Sequence, residues 1–280
     1  MKVLHYSPES GLKHIGVLLR DIIENFRQAR ELSVRMFTRD IKAGYREFFL
    51  GFFWAFSKPL GVVIPFAFLE QQNILQVDTG DIPPFAYMLI CNTFWFVFVD
   101  TFTATRGLAT TSMAILSKVR FAVEALYLAG VWRVLFNFGL QCIAIALVMI
   151  FWKIPLHNLV VFLPVAIFSL VLAGTALGFL LMPLVTLVKD LNNLVVTLVS
   201  LWFFITPIIY PPETEGLIGV FAAYNPITPL VVTAKQCMTA TEFTMLPQFI
   251  MVTVVFTVLA ILGLILQRIA LPILVERMNA

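Results

Sequence analysis

Several windows of the chain reach the roughly 20 predominantly apolar residues that an α-helix needs to cross a bilayer. Few charges interrupt them, since 60% of the 280 residues are hydrophobic and 12% are charged. An average soluble domain has about twice that charged fraction. The chain is therefore predicted to be an all-α integral membrane protein with six transmembrane helices. The six spans are predicted at about residues 48–69, 84–105, 127–150, 159–187, 192–210 and 248–268.

Lysine and arginine are distributed unevenly among the segments between these spans. With the N-terminus in the cytoplasm, the inside segments carry 15 of the 19 basic residues, and the outside loops carry only Lys153 and Lys235. Cytoplasmic loops are enriched in Lys and Arg. The pattern therefore predicts a multi-pass protein of the plasma membrane with both termini in the cytoplasm.

Two regions are predicted: an N-terminal segment, residues 1–47, and a single membrane domain, residues 48–280. In the first, Arg35, Arg39, Lys42 and Arg46 share one helical face. Apolar residues at the same spacing lie about 200° away around the helix. This pattern is typical of an amphipathic helix in the membrane surface, with basic groups near anionic headgroups. Packing on a soluble partner is the alternative.

Two connections are long enough to hold further helices. Residues 106–126 form a cytoplasmic link with a short amphipathic helix, and residues 211–247 form a proline-rich external loop. Short re-entrant or capping helices are predicted in the external loop, between spans five and six.

The sequence lacks the residue patterns of an enzyme. The three histidines have no Cys, Asp or Glu at metal-ligand spacing, so no metal site is predicted. No Gly-Lys pair occurs, which excludes a phosphate-binding P-loop in this chain. The net charge of +3 is too small to indicate a nucleic-acid partner. Any energy source must therefore come from an ion gradient or from another polypeptide.

Three ionisable residues lie within the predicted spans, where unpaired charges are costly. Asp100 and Arg133 lie at similar depth, so we expect them to form a structural pair, with a transport role for Asp100 as the alternative. Lys58 faces a path, extends its charge to the membrane surface (snorkelling) or pairs with Asp100. Gly174 and Gly178 form a G-x-x-x-G motif that allows two helices to approach closely. We expect the two helices to belong to the same chain, with a contact between two copies as the alternative.

Four short motifs, in order, carry a resemblance to a known family. They are Tyr45-Arg46 with Leu50-Gly51, Trp54 and Pro59; Lys189-Asp190-Leu191; TPIIYP at 206–211; and Tyr224-Asn225-Pro226. Over roughly residues 30–270 the chain resembles the ABC-2 type permeases of polysaccharide exporters, the Wzm-like proteins of O-antigen and teichoic acid export. Two positions depart from the family: Phe121-Ala122 replaces a Phe-Pro, and Lys235 replaces an arginine.

The resemblance implies a half-transporter without its own nucleotide site. Two copies would pair, and each would dock one ABC ATPase subunit through a coupling helix in the cytoplasmic link. The substrate would be a lipid-linked polysaccharide that leaves the cytoplasm of a bacterium, across the inner membrane if the cell is Gram-negative. Alternatives are a teichoic acid, capsule, lipid or drug exporter and, from a different class, an ATP-independent membrane transferase. The implied coupling residues are Ile115, Leu116, Ser117, Lys118, Val119, Arg120, Phe121 and Glu124.

The family's path lies between the two permeases, lined largely by spans one and five. Aromatic rings there suit stacking on sugar C–H groups, although packing and lipid contact also account for aromatics in spans. The implied path residues are Phe49, Phe52, Phe53, Trp54, Phe56, Lys58, Trp202 and Phe203, with Phe204 beside them. The residues suited to the lipid pyrophosphate, or to anionic membrane lipid, are Arg35, Arg39, Lys42, Tyr45 and Arg46. The external gate is predicted at Tyr224, Asn225 and Pro226.

Overall fold

Every regular element among the residues described by the computed structural model is helical, in agreement with the predicted all-α class. The structure describes residues 27, 29–43, 51–72, 74, 77, 79–80, 82–111, 123–212 and 216–279. Within these ranges, the side chains at 51–56, 189, 272 and 275–279 lie outside the description.

The helices are numbered in chain order. They are α1 (residues 29–43), α2 (Gly51–Gln71), α3 (Pro84–Arg106), α4 (Leu108–Thr111), α5 (Val123–Phe151), a 3₁₀ turn (Asn158–Phe162), α6 (Leu163–Leu187), α7 (Lys189–Ile205), α8 (Leu217–Tyr224), α9 (Thr228–Thr239) and α10 (Leu246–Asn279).

Four helices of the described part are long and apolar enough to cross a membrane, which agrees with a multi-pass protein. They are Pro84–Arg106, Val123–Phe151, the run Asn158–Leu187, and Leu246–Leu271. They match the spans predicted from 84, 127, 159 and 248. Helices α8 and α9 pass the same test only as a pair bent by 89°, which raises the number to five.

The exact number of six spans stays a prediction. Helix α7 has 17 residues, or about 25 Å of length, less than the hydrocarbon core of about 30 Å. Helix α2 occupies the range predicted for the first span, with part of its side chains outside the description. The segment between α7 and α10 does contain short helices, as predicted; their external location and gating role stay predictions.

The core forms around α6, which packs most extensively against α3 and α10. At Gly174 a Cβ atom would lie 2.7 Å from the Phe98 carbonyl oxygen, and at Gly178 it would lie 2.6 Å from Thr105 Cβ. Both glycines therefore allow α3 to approach α6 within one chain, which is the intramolecular packing predicted for G-x-x-x-G.

Candidate functional site

Helix α7 carries a polar stripe on an exposed face. Its members are Asp190, Asn193, Thr197 and Ser200, all exposed and within about 80° of one another around the helix. Thr197 Oγ1 donates to the Asn193 carbonyl at 3.1 Å, and Ser200 Oγ donates to the Val196 carbonyl at 3.0 Å. Their hydroxyl hydrogens are thus used internally, so each hydroxyl oxygen is left as an acceptor for an external donor.

Two of the aromatic residues predicted to line a path lie away from this stripe. Around the axis of α7, Trp202 lies about 160° from the centre of the stripe, and Phe203 lies about 100° from it. The Trp202 ring lies 5.6 Å from Phe98, and the Phe203 ring lies 6.1 Å from Trp95, both on α3. The structure therefore places Trp202 and Phe203 in helix packing, whereas Phe204 is exposed.

Lys58 on α2 forms an ion pair with Asp100 on α3, and its Nζ lies 4.7 Å from the centre of the Phe96 ring. Its side chain is still 48% exposed, against 21% for Asp100. The pairing of Lys58 with Asp100, one of the predicted alternatives, is thus present. About half of the lysine side chain stays exposed. Phe52, Phe53, Trp54 and Phe56 lie on α2 with undescribed side chains, and Phe49 lies outside the described residues.

The expected pair between Asp100 and Arg133 is wrong. Arg133 on α5 donates from Nη2 to Asp40 Oδ2 on α1 at 2.6 Å, because α1 packs along α5 and brings a carboxylate to it. Phe37 and Phe136 add a ring contact at 5.9 Å between the same two helices.

Helix α1 holds the predicted basic face outward. Arg35, Arg39 and Lys42 are exposed, whereas Ala29 and Ser33 on another face are buried. The arrangement is compatible with a helix in the membrane surface whose basic side meets headgroups. Tyr45 and Arg46, the other two members of this predicted site, lie outside the described residues.

Glu124 lies in the first turn of α5 and is buried. Its Oε1 accepts from Arg268 Nη2 on α10 at 2.9 Å, and the two side chains are 6% and 13% exposed. The structure thus places Glu124 inside the helix bundle, and its predicted coupling role stays a prediction. The other predicted coupling residues, 115–121, lie outside the described residues, so the coupling helix stays a prediction.

The predicted gate residues form the corner between α8 and α9. Tyr224 is exposed, Pro226 is exposed, and Asn225 between them is buried. Asn225 Oδ1 accepts from Trp202 Nε1 at 2.9 Å, and Asn225 Nδ2 donates to Thr206 Oγ1 at 2.8 Å. A predicted gate residue, Asn225, and a predicted path residue, Trp202, are therefore hydrogen-bonded to each other, and the sequence did not indicate this contact.

The sequence analysis predicts path residues from aromatic side chains, and this criterion does not include the polar stripe of α7. A signal existed: Asp190, Asn193, Thr197 and Ser200 recur at helical spacing inside an otherwise apolar run. Within the described residues, no three His, Cys, Asp or Glu side chains are grouped as they would be to hold a metal ion.

The fold and these side chains define an α-helical, multi-pass membrane protein with a hydrophilic face on one of its helices. No family model matches the chain. The chain is 29% identical over 219 residues to the O-antigen export system permease protein RfbA of Myxococcus xanthus. The aligned part covers 75% of this chain and 81% of the relative. This similarity confirms the resemblance to the Wzm-like ABC-2 permeases.

Proposed function

We propose that this chain is the transmembrane subunit of an ATP-driven ABC exporter that moves an O-antigen-like, lipid-linked polysaccharide from the cytoplasm to the outer side of a bacterial inner membrane. The similarity to an O-antigen export permease supports this substrate class. The observation that carries the proposal is the polar stripe of α7. Polar side chains in a span are costly in lipid and usually face a protein interior or a water-filled cavity.

The stripe suits a hydroxyl-rich polymer. Thr197 and Ser200 present oxygen acceptors, and Asn193 presents an amide that both donates and accepts. A sliding polymer needs many weak contacts of this kind, and each exchanges with water at little net gain. Lys58 and Asp100 offer a further polar group on α2 and α3, where half of the lysine side chain is exposed.

The transporter would contain two copies of the chain, so that the two exposed α7 faces enclose one path. Two separate ATPase subunits would bind ATP and Mg²⁺ and would dock through residues 106–126. The absence of a P-loop motif from the sequence supports a separate ATPase. The exposed basic face of α1 would meet the lipid pyrophosphate or anionic membrane lipid at the cytoplasmic surface.

The experiment compares polysaccharide export by two hydroxyl-removing variants of the chain, each produced in cells that lack the chromosomal gene. The double variant Thr197→Val/Ser200→Ala removes two hydroxyls from the stripe with little change of shape. We expect it to lower surface polysaccharide, measured by antibody labelling, about five-fold at equal protein level, since two weak hydrogen bonds of about 0.5 kcal/mol each are lost. The control is Thr257→Val, because exposed Thr257 on α10 makes the same i−4 hydrogen bond.

Two results would contradict the proposal. Equal losses in the double variant and in Thr257→Val would show that the stripe has no special role. Sugar transfer catalysed by the purified chain alone, without ATP, would indicate a membrane transferase.

A further inference from the structure

Arg106, the last residue of α3, is a buried cation with few partners. The residue is 6% exposed, and the one hydrogen bond of its guanidinium to the described residues runs from Nη1 to the Asn192 carbonyl at 3.4 Å. Nε is enclosed and has no hydrogen-bond partner. Among the described residues, no carboxylate oxygen lies within 4.0 Å of the guanidinium. A guanidinium has five N–H donors, so most of these donors lack an acceptor here.

Such an arrangement is unfavourable unless something else meets the charge, because a buried cation needs an opposite charge and hydrogen bonds to compensate for lost water. The Phe102 ring, 5.3 Å from the guanidinium carbon, offers a weaker attraction than a carboxylate does. Three nearby carboxylates already pair with other cations, namely Asp40, Asp100 and Glu124. The described side chains therefore leave the positive charge of Arg106 uncompensated.

Helix α7 begins beside this guanidinium, since Asn192 is the fourth residue of the helix. Val188 precedes α7 and has no side-chain acceptor, so the first N–H groups of the helix depend on other partners. Asp190 in the first turn is exposed and supplies one negative charge at this end. The N-terminus of a helix attracts anions, and phosphate groups bind there readily. A buried arginine and a helix N-terminus thus place two positive features next to each other.

We propose that Arg106 and the N-terminus of α7 form a binding site for a phosphate group. Unlike Nε, Nη2 of Arg106 is neither hydrogen-bonded nor enclosed, so a phosphate oxygen can reach the guanidinium along this edge. The planar fork of arginine suits phosphate oxygens. The predicted orientation puts the site at the cytoplasmic surface, where the polar stripe of α7 starts.

The identity of the ligand rests on the proposed function. In an exporter of lipid-linked polysaccharide, the phosphate group is the diphosphate at the lipid end of the substrate. The headgroup of an anionic membrane lipid carries the same chemistry, so the experiment has to distinguish these two sources.

The test titrates the purified full-length chain in a non-ionic detergent with inorganic pyrophosphate and measures the heat of binding. Arg106→Met keeps a similar volume but removes the cation, and it should weaken binding at least about ten-fold. Arg106→Lys keeps the charge but loses the fork, and it should retain part of the affinity. Arg133→Gln is the matched control, because Asp40 already meets the charge of Arg133. Weakening by Arg133→Gln equal to that by Arg106→Met would assign the effect to net charge and overturn the proposal.

Thermal unfolding separates a ligand site from an arginine that only holds helices together. Without pyrophosphate, Arg106→Met should be at least as stable as the wild type, because it removes an uncompensated buried charge. Pyrophosphate should raise the unfolding temperature of the wild type but not that of Arg106→Met. A less stable Arg106→Met, together with a wild type that does not respond to pyrophosphate, would show a purely structural arginine.

Lipid nanodiscs distinguish the two sources of the phosphate group. The stability difference between the wild type and Arg106→Met is measured in phosphatidylcholine and again in phosphatidylglycerol. A larger advantage of the wild type in phosphatidylglycerol assigns the site to a lipid headgroup. The same difference in both lipids, with pyrophosphate still bound, assigns it to a diphosphate.

The binding measurement needs neither ATPase nor polysaccharide, so its outcome is independent of the export test. Pyrophosphate binding that depends on Arg106, in a chain that exports no polysaccharide, would leave the site standing and remove the proposed function. Export by a chain that binds no pyrophosphate would do the reverse.

Discussion

Several charged side chains form ion pairs that join one helix to another. Lys58 pairs with Asp100, Arg133 with Asp40, and Arg268 with Glu124. Burial separates them: the Arg268–Glu124 pair is nearly enclosed, whereas Lys58 and Arg133 are about half exposed. Removing one partner of a buried pair leaves an uncompensated charge, which costs more than the pair contributes. The three pairs should therefore differ in their effect on stability.

Arg268→Met is expected to lower the free energy of unfolding by about 3 kcal/mol, because it leaves the buried Glu124 carboxylate without its guanidinium. Lys58→Met should cost only about 1 kcal/mol, since the Asp100 carboxylate that stays behind is partly exposed and would meet water in the proposed path. Thermal unfolding in detergent measures both losses. The double variant Glu124→Gln/Arg268→Met should recover part of the stability. Equal losses for Arg268→Met and Lys58→Met would show that burial does not set the cost.

An ion pair could be predicted from the sequence only where both of its partners lie on adjacent helices. Lys58 and Asp100 are on consecutive long helices, and pairing between them is one of the three alternatives that the sequence leaves open for Lys58. The partner of Arg133 could not be predicted, because Asp40 reaches it only once α1 packs along α5. Asn225 likewise meets Trp202 through a corner whose direction depends on tertiary packing.

At the scale of helices, apolar length predicted the elements well. The spans predicted from 84, 127, 159 and 248 lie within a few residues of helices in the structure, because long uncharged runs have few other solutions in lipid. The region after residue 188 was harder to predict. Helix α7 is short for a span, and the pair α8–α9 bends by 89°. Apolarity alone does not distinguish a continuous span from a broken one.

Gly174→Ala tests the close packing of α3 on α6. A Cβ atom there would lie 2.7 Å from the Phe98 carbonyl and 2.9 Å from Phe102 N, both backbone atoms that move only with the helix. We expect a loss of about 2 kcal/mol in the free energy of unfolding, as is usual for overpacking. The control is Gly139→Ala on α5, where no atom lies within 4 Å of the added Cβ.

The control should instead gain about 0.5–1 kcal/mol, because alanine has the higher helix propensity. Both values can be measured by thermal unfolding in the same detergent. A neutral Gly174→Ala would mean that α3 and α6 are packed less closely than the structure shows.

At the scale of the whole molecule, the proposed path predicts which side chains are in contact with water. Cysteine reacts as the thiolate, which forms in water far more readily than in lipid. In a chain whose three native cysteines are replaced by alanine, Thr197→Cys and Ser200→Cys should react with a membrane-impermeant thiol reagent. Val254→Cys and Leu262→Cys, exposed on α10 but apolar in setting, should react at least about ten-fold more slowly. Equal protection of all four thiols would place α7 against lipid.

A second cluster of buried residues lies at the two ends of the predicted cytoplasmic link, where the chain leaves α4 and where α5 begins. Leu108, Val123, Met182 and Leu271 pack together there, and the Glu124–Arg268 pair lies at the same place. Both ends of the link are therefore fixed to α6 and α10. A partner that pushed on residues 112–122 would act on the packed core through these two ends, as the proposed docking of an ATPase requires.

Charge reversal in the link tests this docking. Lys118→Glu/Arg120→Glu changes two residues that are not among the described members of the buried cluster, and we expect thermal stability to stay within about 0.5 kcal/mol of the wild type. The proposed docking sets the basic link against acidic groups of the ATPase subunit, so copurification should fall about ten-fold or more when the reversed charges repel those groups. Arg35→Glu/Arg39→Glu on α1 carries the same change of charge at a different place and should retain the ATPase. Equal loss in both variants would assign the effect to net charge, and retention in both would place the docking surface elsewhere on the cytoplasmic side.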